Sequence, residues 1–237
     1  MFDPEATTRG ATHATLPAGF TAGDVSPHAL QILTTEHWSL LSSRSMGYAE
    51  AMSRAGLFIA SLSGAVVALA LVAQATDFGD GFVAFALVLL PVVFFVGAVT
   101  IMRLSQINYE DALWVQGLNR LRHAYLELAP ELEPYFVTSS YDDVRGVIAS
   151  APRSKARTPF QSLMSSPGLI AVLDSVVAGA TTGIAALGVG LGTGATIAAG
   201  VAGFAITVVV FAVLGARAIR RHQADLAPRF PTPRSER

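Results

Sequence analysis

The sequence predicts an all-α polytopic membrane protein with four transmembrane helices in two hairpins, the first of which extends into a cytoplasmic helical bundle. Of the 237 residues, 52% are hydrophobic and only 14% are charged, whereas charged residues make up about 25% of a soluble domain. The deficit of charge is concentrated in residues 55–102 and 168–214. Each block has room for two helices of about 20 residues, the length that crosses about 30 Å of hydrocarbon.

The hairpins are assigned to residues 55–102 and 166–216, and the distribution of positive charge predicts their orientation. All 16 Lys and Arg residues lie outside the loops 73–81 and 188–194, which join the two spans of each hairpin. Cytoplasmic loops carry an excess of Lys and Arg. Both termini are therefore predicted to lie in the cytoplasm, and the protein in the plasma membrane.

The cytoplasmic part begins with residues 1–27, which are rich in Ala, Thr, Gly and Pro. They show no apolar period and are predicted to be disordered. A helix should start with Ser26 as N-cap and Pro27 at the first helical position, and continue through residues 28–54 into the first span. One face of this helix is mostly apolar. It consists of Thr34, Trp38, Leu41, Ser45, Tyr48 and Met52.

Residues 103–165 are predicted to hold the continuation of the second span, a shorter helix and a basic linker. The continuing helix should end before Pro130, and it carries an apolar stripe at helical spacing. The stripe consists of Trp114, Leu118, Leu121, Tyr125 and Leu128. The final residues, 217–237, are predicted to be a disordered tail.

Two apolar-striped extensions of one hairpin cannot bury all of their faces against each other, so a homo-oligomer is predicted. Five residues are assigned to packing within or between subunits: Trp38, Leu41, Trp114, Leu118 and Leu121. Helix packing explains the two Trp residues better than base stacking does. The net charge of −1 also gives no argument for a nucleic-acid partner.

Hairpin geometry predicts one ion pair. Residues equally distant from a turn near Phe78 should face each other, which brings Asp111 close to Arg44. A partly buried pair would fix the register of the two cytoplasmic helices, although such pairs add little stability; the alternative is an ordinary surface charge. Pro91, near the middle of the second span, removes a backbone donor and predicts a bend. The bend is either purely structural or a gating hinge.

Four polar residues form a candidate pathway through the membrane: Asp174, Ser61, Ser63 and Thr100. Asp174 is the one carboxylate within a predicted span, and at about 1.5 Å per residue it lies about 9 Å inside the cytoplasmic edge. Ionisable residues at this depth usually face a cavity, water or a polar partner. A functional role and structural pairing with Arg54 or Arg103 both stay open. The two serines fit either helix packing or pore lining.

The sequence lacks the motifs of common enzymes. No phosphate loop, zinc-protease motif, nucleophile elbow or dinucleotide fingerprint occurs, and the absence of Cys excludes disulfides and thiolate metal sites. We therefore predict no enzymatic activity and no cofactor. The leading hypothesis is an oligomeric channel for ions or small solutes. The competing hypothesis is a non-conducting scaffold in the lipid bilayer that docks a cytosolic protein on its helical bundle, and a transporter is a third.

Three stretches are specific enough to compare with known families: TTEHWSLL (34–41), RAGLFIASLSGAVVALALVAQ (54–74) and INYEDALWVQGLNRLRHAYLELAPELEPYF (107–136). They resemble a family of uncharacterised actinobacterial integral membrane proteins with four spans. The resemblance implies the fold and the membrane location but no established activity. A hairpin with helical cytoplasmic extensions is also similar in architecture to SLATT-type membrane effectors, and this likeness implies pore formation as an expectation.

Overall fold

The structure is a computed structural model, and it describes residues 26–150 and 166–233. Within these ranges every regular element is a helix, so the all-α prediction is confirmed. The predicted disorder of the N-terminal segment and the predicted basic linker fall outside the described residues.

Helix α1 (Pro27–Thr76) and helix α2 (Asp80–Leu128) form a hairpin of 50 and 49 residues. Ser26 caps α1, because its Oγ accepts a hydrogen bond from Ala29 N at 3.2 Å, and Pro27 occupies the start of the helix as predicted. At about 1.5 Å per residue each helix is about 75 Å long, more than twice the about 30 Å of a hydrocarbon core. Each helix therefore continues without a break well beyond the length that a span needs.

The turn between α1 and α2 is short and sets their register. Asp77 and Phe78 have φ values of 47° and 58°, in a left-handed region that bulky residues seldom adopt. Asp77 closes α1 by donating its N–H to Ala73 O. The ring of Phe78 lies 5.4 Å from that of Phe82, measured between centroids. Residues equally distant from this turn face each other along the hairpin.

The remaining elements are shorter. After α2 ends at Leu128, before Pro130 as predicted, a 3₁₀ helix covers Pro130–Tyr135 and helix α3 covers Val144–Ala149. Asp143 caps α3 by accepting a hydrogen bond from Gly146 N at 2.8 Å. The second hairpin consists of α4 (Ser166–Gly188) and α5 (Thr193–Asp225).

The four long helices pack consecutively, α1 on α2, α2 on α4 and α4 on α5. Small residues let α4 and α5 approach closely, as is common between helices in lipid. A Cβ added at Gly179 would lie 2.8 Å from Gly200 O, and Thr182 Oγ1 donates to Ala199 O at 3.1 Å. The buried core is shared by α1, α2 and α4, and its largest side chains are Phe58, Leu104 and Ile170.

Each of α1, α2, α4 and α5 is long and apolar enough to cross a membrane. Many of their apolar side chains are exposed on the outside of the helices, for example Val66, Val88 and Val201. Outward-facing apolar side chains are what a lipid-facing surface requires. The chain is therefore a polytopic membrane protein, as predicted.

The face of α1 that packs on α2 lies beside the apolar stripe seen in the sequence. Its buried or half-buried members outside the spans include Leu33, His37, Leu40, Arg44, Gly47 and Ala51, and Leu41 of the predicted packing residues is also half-buried. A Cβ added at Gly47 would lie 2.7 Å from Trp114 Cζ3, so the glycine makes room for the indole ring of α2. Trp38 and Tyr48, by contrast, are 68% and 69% exposed. The stripe on α2 is correct, with Leu118 and Leu121 buried.

The prediction that residues 217–237 are disordered is wrong for the part that the structure describes. Helix α5 continues to Asp225, and the residues after it fold onto α2 and the segment before α3. His222 stacks on Tyr109 with ring centroids 4.0 Å apart, and Phe230 stacks on His123 at 4.1 Å. Hydrogen bonds from the backbone of Arg229 and Phe230 also hold this segment against the bundle.

Candidate functional site

The side chain of Asp174 lies on α4 where α4 meets α2 and α1, within the membrane-spanning part. It is fully buried, with 0% exposure. Gly97 of α2 faces it: a Cβ added there would collide with the carboxylate and would lie 2.8 Å from Phe58 Cε2 of α1. Phe58 is itself fully buried. Three helices therefore enclose the carboxyl group, and the missing side chain of Gly97 provides the space for it.

Within the part of the chain that the structure describes, neither carboxylate oxygen of Asp174 has a hydrogen-bond partner. The nearby buried hydroxyls are used within their own helices: Thr100 donates to Val96 O and Ser175 to Ala171 O, both at 2.7 Å. An unpaired carboxylate in a low-dielectric site is strongly disfavoured. Such a group inside a span is a functional candidate by default.

The predicted pairing of Asp174 with Arg54 or Arg103 is wrong. Both guanidinium groups bind Glu50 instead, Arg54 Nε at 2.8 Å from Oε1 and Arg103 Nη2 at 2.8 Å from Oε2, and Arg103 also contacts Glu110 at 3.1 Å. These carboxylates lie at the ends of the apolar runs, where α1 and α2 continue beyond the spans and an ion pair loses less hydration than it would beside Asp174. Hydrogen bonds from Arg103 and then from Arg54 lower the pKa of Glu50 to about 2.

The four predicted pathway residues divide into two pairs. Thr100 is 7% exposed and lies on the enclosed side with Asp174. Ser61 and Ser63 are both exposed, but they lie about 200° apart around α1, and Ser61 Oγ donates to Leu57 O of its own helix at 2.9 Å. The structure therefore does not bring the serines to the carboxyl within one copy of the chain.

Pro91 is also on an outer face. Helix α2 runs through it without interruption, and its side chain is exposed. A gating hinge at Pro91 stays a prediction.

The predicted contact between Arg44 and Asp111 is present. Arg44 Nε donates to Asp111 Oδ1 at 2.5 Å and Nη2 donates to Oδ2 at 3.3 Å, with 34% and 40% of the two side chains exposed. Farther from the membrane, Tyr125 Oη donates to Leu33 O at 3.2 Å. These contacts join α1 and α2 in one register outside the spans. That the ion pair fixes this register stays a prediction.

A half-buried histidine with a buried Nδ1 lies on this polar seam. His37 Nδ1 has no hydrogen-bond partner within the described residues, and its ring lies 5.9 Å from that of Tyr125. Burial and then the charge of Arg122 lower the pKa of His37, so both effects disfavour a second positive charge beside Arg122.

The C-terminal segment is held by two adjacent carboxylates. We call residues 227–232 the strap. The fully buried Asp142 accepts hydrogen bonds from Phe230 N at 2.7 Å, from Arg229 N at 2.9 Å and from Arg120 Nε at 2.6 Å. Asp143 accepts from Thr232 Oγ1 at 2.9 Å. The strap thereby joins the end of α5 to α2 and α3.

Burial acts to raise the pKa of Asp142, but the hydrogen bonds from the backbone of Arg229, from Arg120 and from the backbone of Phe230 outweigh it and lower the pKa. Sequence reasoning missed this cluster because its partners lie 87 and 88 residues apart. The one signal in the sequence was the doublet of acids, Asp142 and Asp143.

The described residues contain no group of three or more His, Asp or Glu side chains placed to hold a metal ion. His123 and Glu127 form only an isolated i, i+4 contact at 3.6 Å. Comparison of the chain with models of protein families, with curated proteins and with solved structures gives no match. The resemblance to the actinobacterial family therefore stays a prediction, and function has to be argued from the geometry.

Proposed function

We propose that the chain forms a homo-oligomeric channel in the plasma membrane, with both termini in the cytoplasm, which passes ions or small solutes. The observation that carries this proposal is Asp174, a carboxyl enclosed by three helices inside the membrane without a hydrogen-bond partner in the described residues. A purely structural acid would be expected to have a partner. An ionisable group left unpaired at this depth is typical of ion and proton pathways.

The proposed orientation is supported by the side on which the cations gather. Arg54 and Arg103 lie level with each other because both bind Glu50. The contact between His222 and Tyr109 brings the end of α5 to the same side. The two connecting loops at the opposite end carry no Lys or Arg. By the positive-inside rule, the bundle and both termini face the cytoplasm.

The proposed oligomer is supported by the outer face of α1. We call Trp38, Met46, Tyr48 and Met52 the outer patch; these four side chains are 42–69% exposed. They belong to the part of α1 below the spans, where lipid does not cover them. Exposed clusters of large apolar side chains mark interaction sites. A second copy of the chain would cover the outer patch and, continuing along the same side of α1 into the membrane, would meet Ser63.

This arrangement makes the oligomer part of the conducting structure. Helices that pack consecutively in one copy do not surround the outer face of α1. Several copies arranged with α1 inward would place Ser63 toward an axis, whereas Ser61, about 200° away around the helix, and Asp174 with Thr100 would lie behind it. The predicted polar pathway would then be assembled from more than one subunit.

The oligomer is tested by truncating the outer patch. Trp38→Ala should lower the mass of the purified complex in mass photometry, because it removes the largest exposed side chain of the patch. Tyr135→Ala is the matched control, since Tyr135 is 79% exposed but lies at the far end of the bundle. A complex of unchanged mass in the Trp38 variant would show that α1 does not form the interface.

Conduction is tested with the purified full-length protein in planar bilayers. Single-channel currents that disappear when Trp38→Ala dissociates the complex would support the proposal. Silence across voltage, pH and lipid composition, with an intact oligomer, would overturn the channel function.

The second candidate is a non-conducting scaffold that docks a cytosolic protein. One observation favours it specifically: an apolar groove of about 460 Å³ at the end of the bundle farthest from the spans. Its lining includes Leu30, Tyr125, Leu128, Leu132 and Phe136. If bilayers stay silent, a cytosolic protein that copurifies with the wild type and is lost in Leu132→Asp would favour the scaffold.

A further inference from the structure

The enclosure of Asp174 limits which ion it can hold. A bare or partly hydrated metal cation needs several oxygen ligands, about six for Mg²⁺ and more for Ca²⁺. The wall opposite the carboxyl consists of the Gly97 backbone and the Phe58 ring, and an added Cβ at Gly97 would already collide with the carboxylate. A space too small for a methyl group does not hold a water-coordinated cation.

Charged groups on the surrounding helices do not neutralise Asp174. On α1 the nearest charged residues along the helix are Arg54 and Glu50, and on α2 the nearest is Arg103. Glu50 binds both arginines. Helix α4 carries no other charged residue, and α5 carries none before Arg217. Ionised Asp174 would thus be an isolated negative charge in a low-dielectric site, which is strongly disfavoured.

We infer that Asp174 is a proton-binding site: its carboxyl group carries a proton in the closed arrangement of helices, and the ion that the protein passes is the proton. This inference rests on the proposed channel function and names its permeant ion. A proton needs no coordination shell and occupies no volume beyond the carboxyl group. It therefore fits the site, whereas a metal cation does not.

Release of the proton requires water at the carboxyl group. When α4 separates slightly from Gly97 on the cytoplasmic side, water can reach the oxygen; the O–H bond of Asp174 breaks, a water molecule accepts the proton, and a carboxylate remains. For net transport, the carboxylate is then reprotonated by water that reaches it from the opposite side of the membrane, and closure returns the neutral acid to the low-dielectric contact. In each cycle one proton is taken up on one side and one is released on the other, so charge balances without a co-reactant.

The protonation state is tested by infrared difference spectroscopy on the full-length protein in liposomes at neutral pH. The C=O stretch of a neutral carboxylic acid should be present in the wild type and absent from Asp174→Asn. A wild-type spectrum without a neutral-acid band that depends on Asp174 would overturn the inference. Because this measurement needs no conduction, it separates the inference from the proposed function.

The permeant ion is tested in the same liposomes with a pH-sensitive dye and with a K⁺ flux assay. Proton flux should exceed that of empty liposomes in the wild type and fall to their level in Asp174→Asn, whereas K⁺ flux should stay at the empty level in both. K⁺ flux through the wild type would refute the proton as the permeant ion. A neutral-acid band without flux of either ion would instead refute the channel and leave the protonated site.

A second variant guards against misfolding of Asp174→Asn. Gly97→Ala should displace the carboxyl group, shift or remove its infrared band and reduce proton flux. Gly64→Ala is the matched control, because a Cβ added at Gly64 has no neighbouring atom within 4 Å. An unshifted band in the Gly97 variant would show that the carboxyl is not enclosed as described, and would overturn the inference.

Discussion

Replacing Asp142 by Asn should release the strap from the bundle. In the native protein the two carboxylate oxygens together accept three hydrogen bonds, from Phe230 N, Arg229 N and Arg120 Nε. An Asn side chain keeps the shape but offers one oxygen and one NH₂ group. At least one donor then faces another donor, and the guanidinium of Arg120 loses its counter-charge.

The size of the effect follows from these contacts. A hydrogen bond to a charged group contributes about 1.5–3 kcal/mol, so losing one and weakening the others should cost about 3 kcal/mol. Because about 1.4 kcal/mol corresponds to a tenfold change in an equilibrium constant, the closed form of the strap should become roughly 100-fold less favoured. Other contacts of the strap, such as Arg120 Nη2 to Ala227 O at 2.9 Å, remain in the variant.

The assay is hydrogen exchange at the backbone amide of Phe230, followed by mass spectrometry of C-terminal peptides. Exchange should be about 100-fold faster in Asp142→Asn, since exchange of a protected amide follows local opening. Asp225→Asn is the control, because Asp225 is exposed at the end of α5. If exchange at Phe230 changes by less than about threefold in Asp142→Asn, well below the expected shift, the strap is not held by this carboxylate.

The same contact predicts a dependence on acid. The pKa of Asp142 is lowered in the folded protein from an unfolded value of about 3.9. The stabilisation is therefore complete above about pH 4 and is lost as the pH falls through the lowered folded-state value. Exchange at Phe230 should be independent of the protonation of Asp142 between pH 5 and 7, after correction for intrinsic exchange rates. Strap opening that begins near pH 6 would contradict this assignment.

Two further experiments test the part of the α1–α2 hairpin outside the spans. Gly47→Ala should destabilise the protein by about 1–3 kcal/mol, because the new Cβ would lie 2.7 Å from Trp114 Cζ3. Thermal unfolding in detergent measures the effect, with Gly56→Ala as the control because a Cβ added there has no neighbouring atom within 4 Å. Equal unfolding midpoints for the two variants would refute the prediction. A double-mutant cycle with Arg44→Ala and Asp111→Ala should give a coupling of about 0.2–1 kcal/mol, as expected for a pair that is one-third exposed, and a coupling of zero would remove any role in fixing the register.

The architecture could be predicted from the sequence because two strong signals agree. Long runs without charge mark the spans, and the short turn around Phe78 fixes which residues of α1 and α2 meet. That rule correctly placed Asp111 beside Arg44. Turn geometry is local, so it does not depend on contacts that are remote in sequence.

The inner face of α1 could not be predicted from its apolar residues. Large side chains such as Trp38 suggested a buried stripe, but the face that packs is built around Gly47, Arg44 and His37. Its composition depends on the partner: Trp114 needs the space above a glycine, and Asp111 needs a cation. A pattern that weighs only hydrophobicity therefore selects the neighbouring face, which the structure leaves exposed.

The strap could not be predicted either, for a different reason. Its contacts are backbone N–H groups meeting carboxylates from a distant part of the chain, and backbone donors leave no trace in the side-chain pattern. The surroundings of Asp174 were predicted only in part. Its depth was evident from the sequence, whereas the absence of a cationic partner depends on Glu50, which binds both Arg54 and Arg103.

The continuous helices of the first hairpin also have a mechanical consequence. From the level of Glu50 to Leu30 the paired helices extend roughly 30 Å at about 1.5 Å per residue, so a tilt of about 5° at the membrane displaces their tip by about 2.5 Å. The hairpin can thus tilt as a rigid unit about a point near the enclosed carboxyl, with the apolar groove at the end that moves farthest. Because the strap fastens α5 to this arm, the fourth span cannot tilt alone. A ligand that binds the groove more tightly in one tilt would raise the population of that tilt, and with it the population of the corresponding helix arrangement around Asp174.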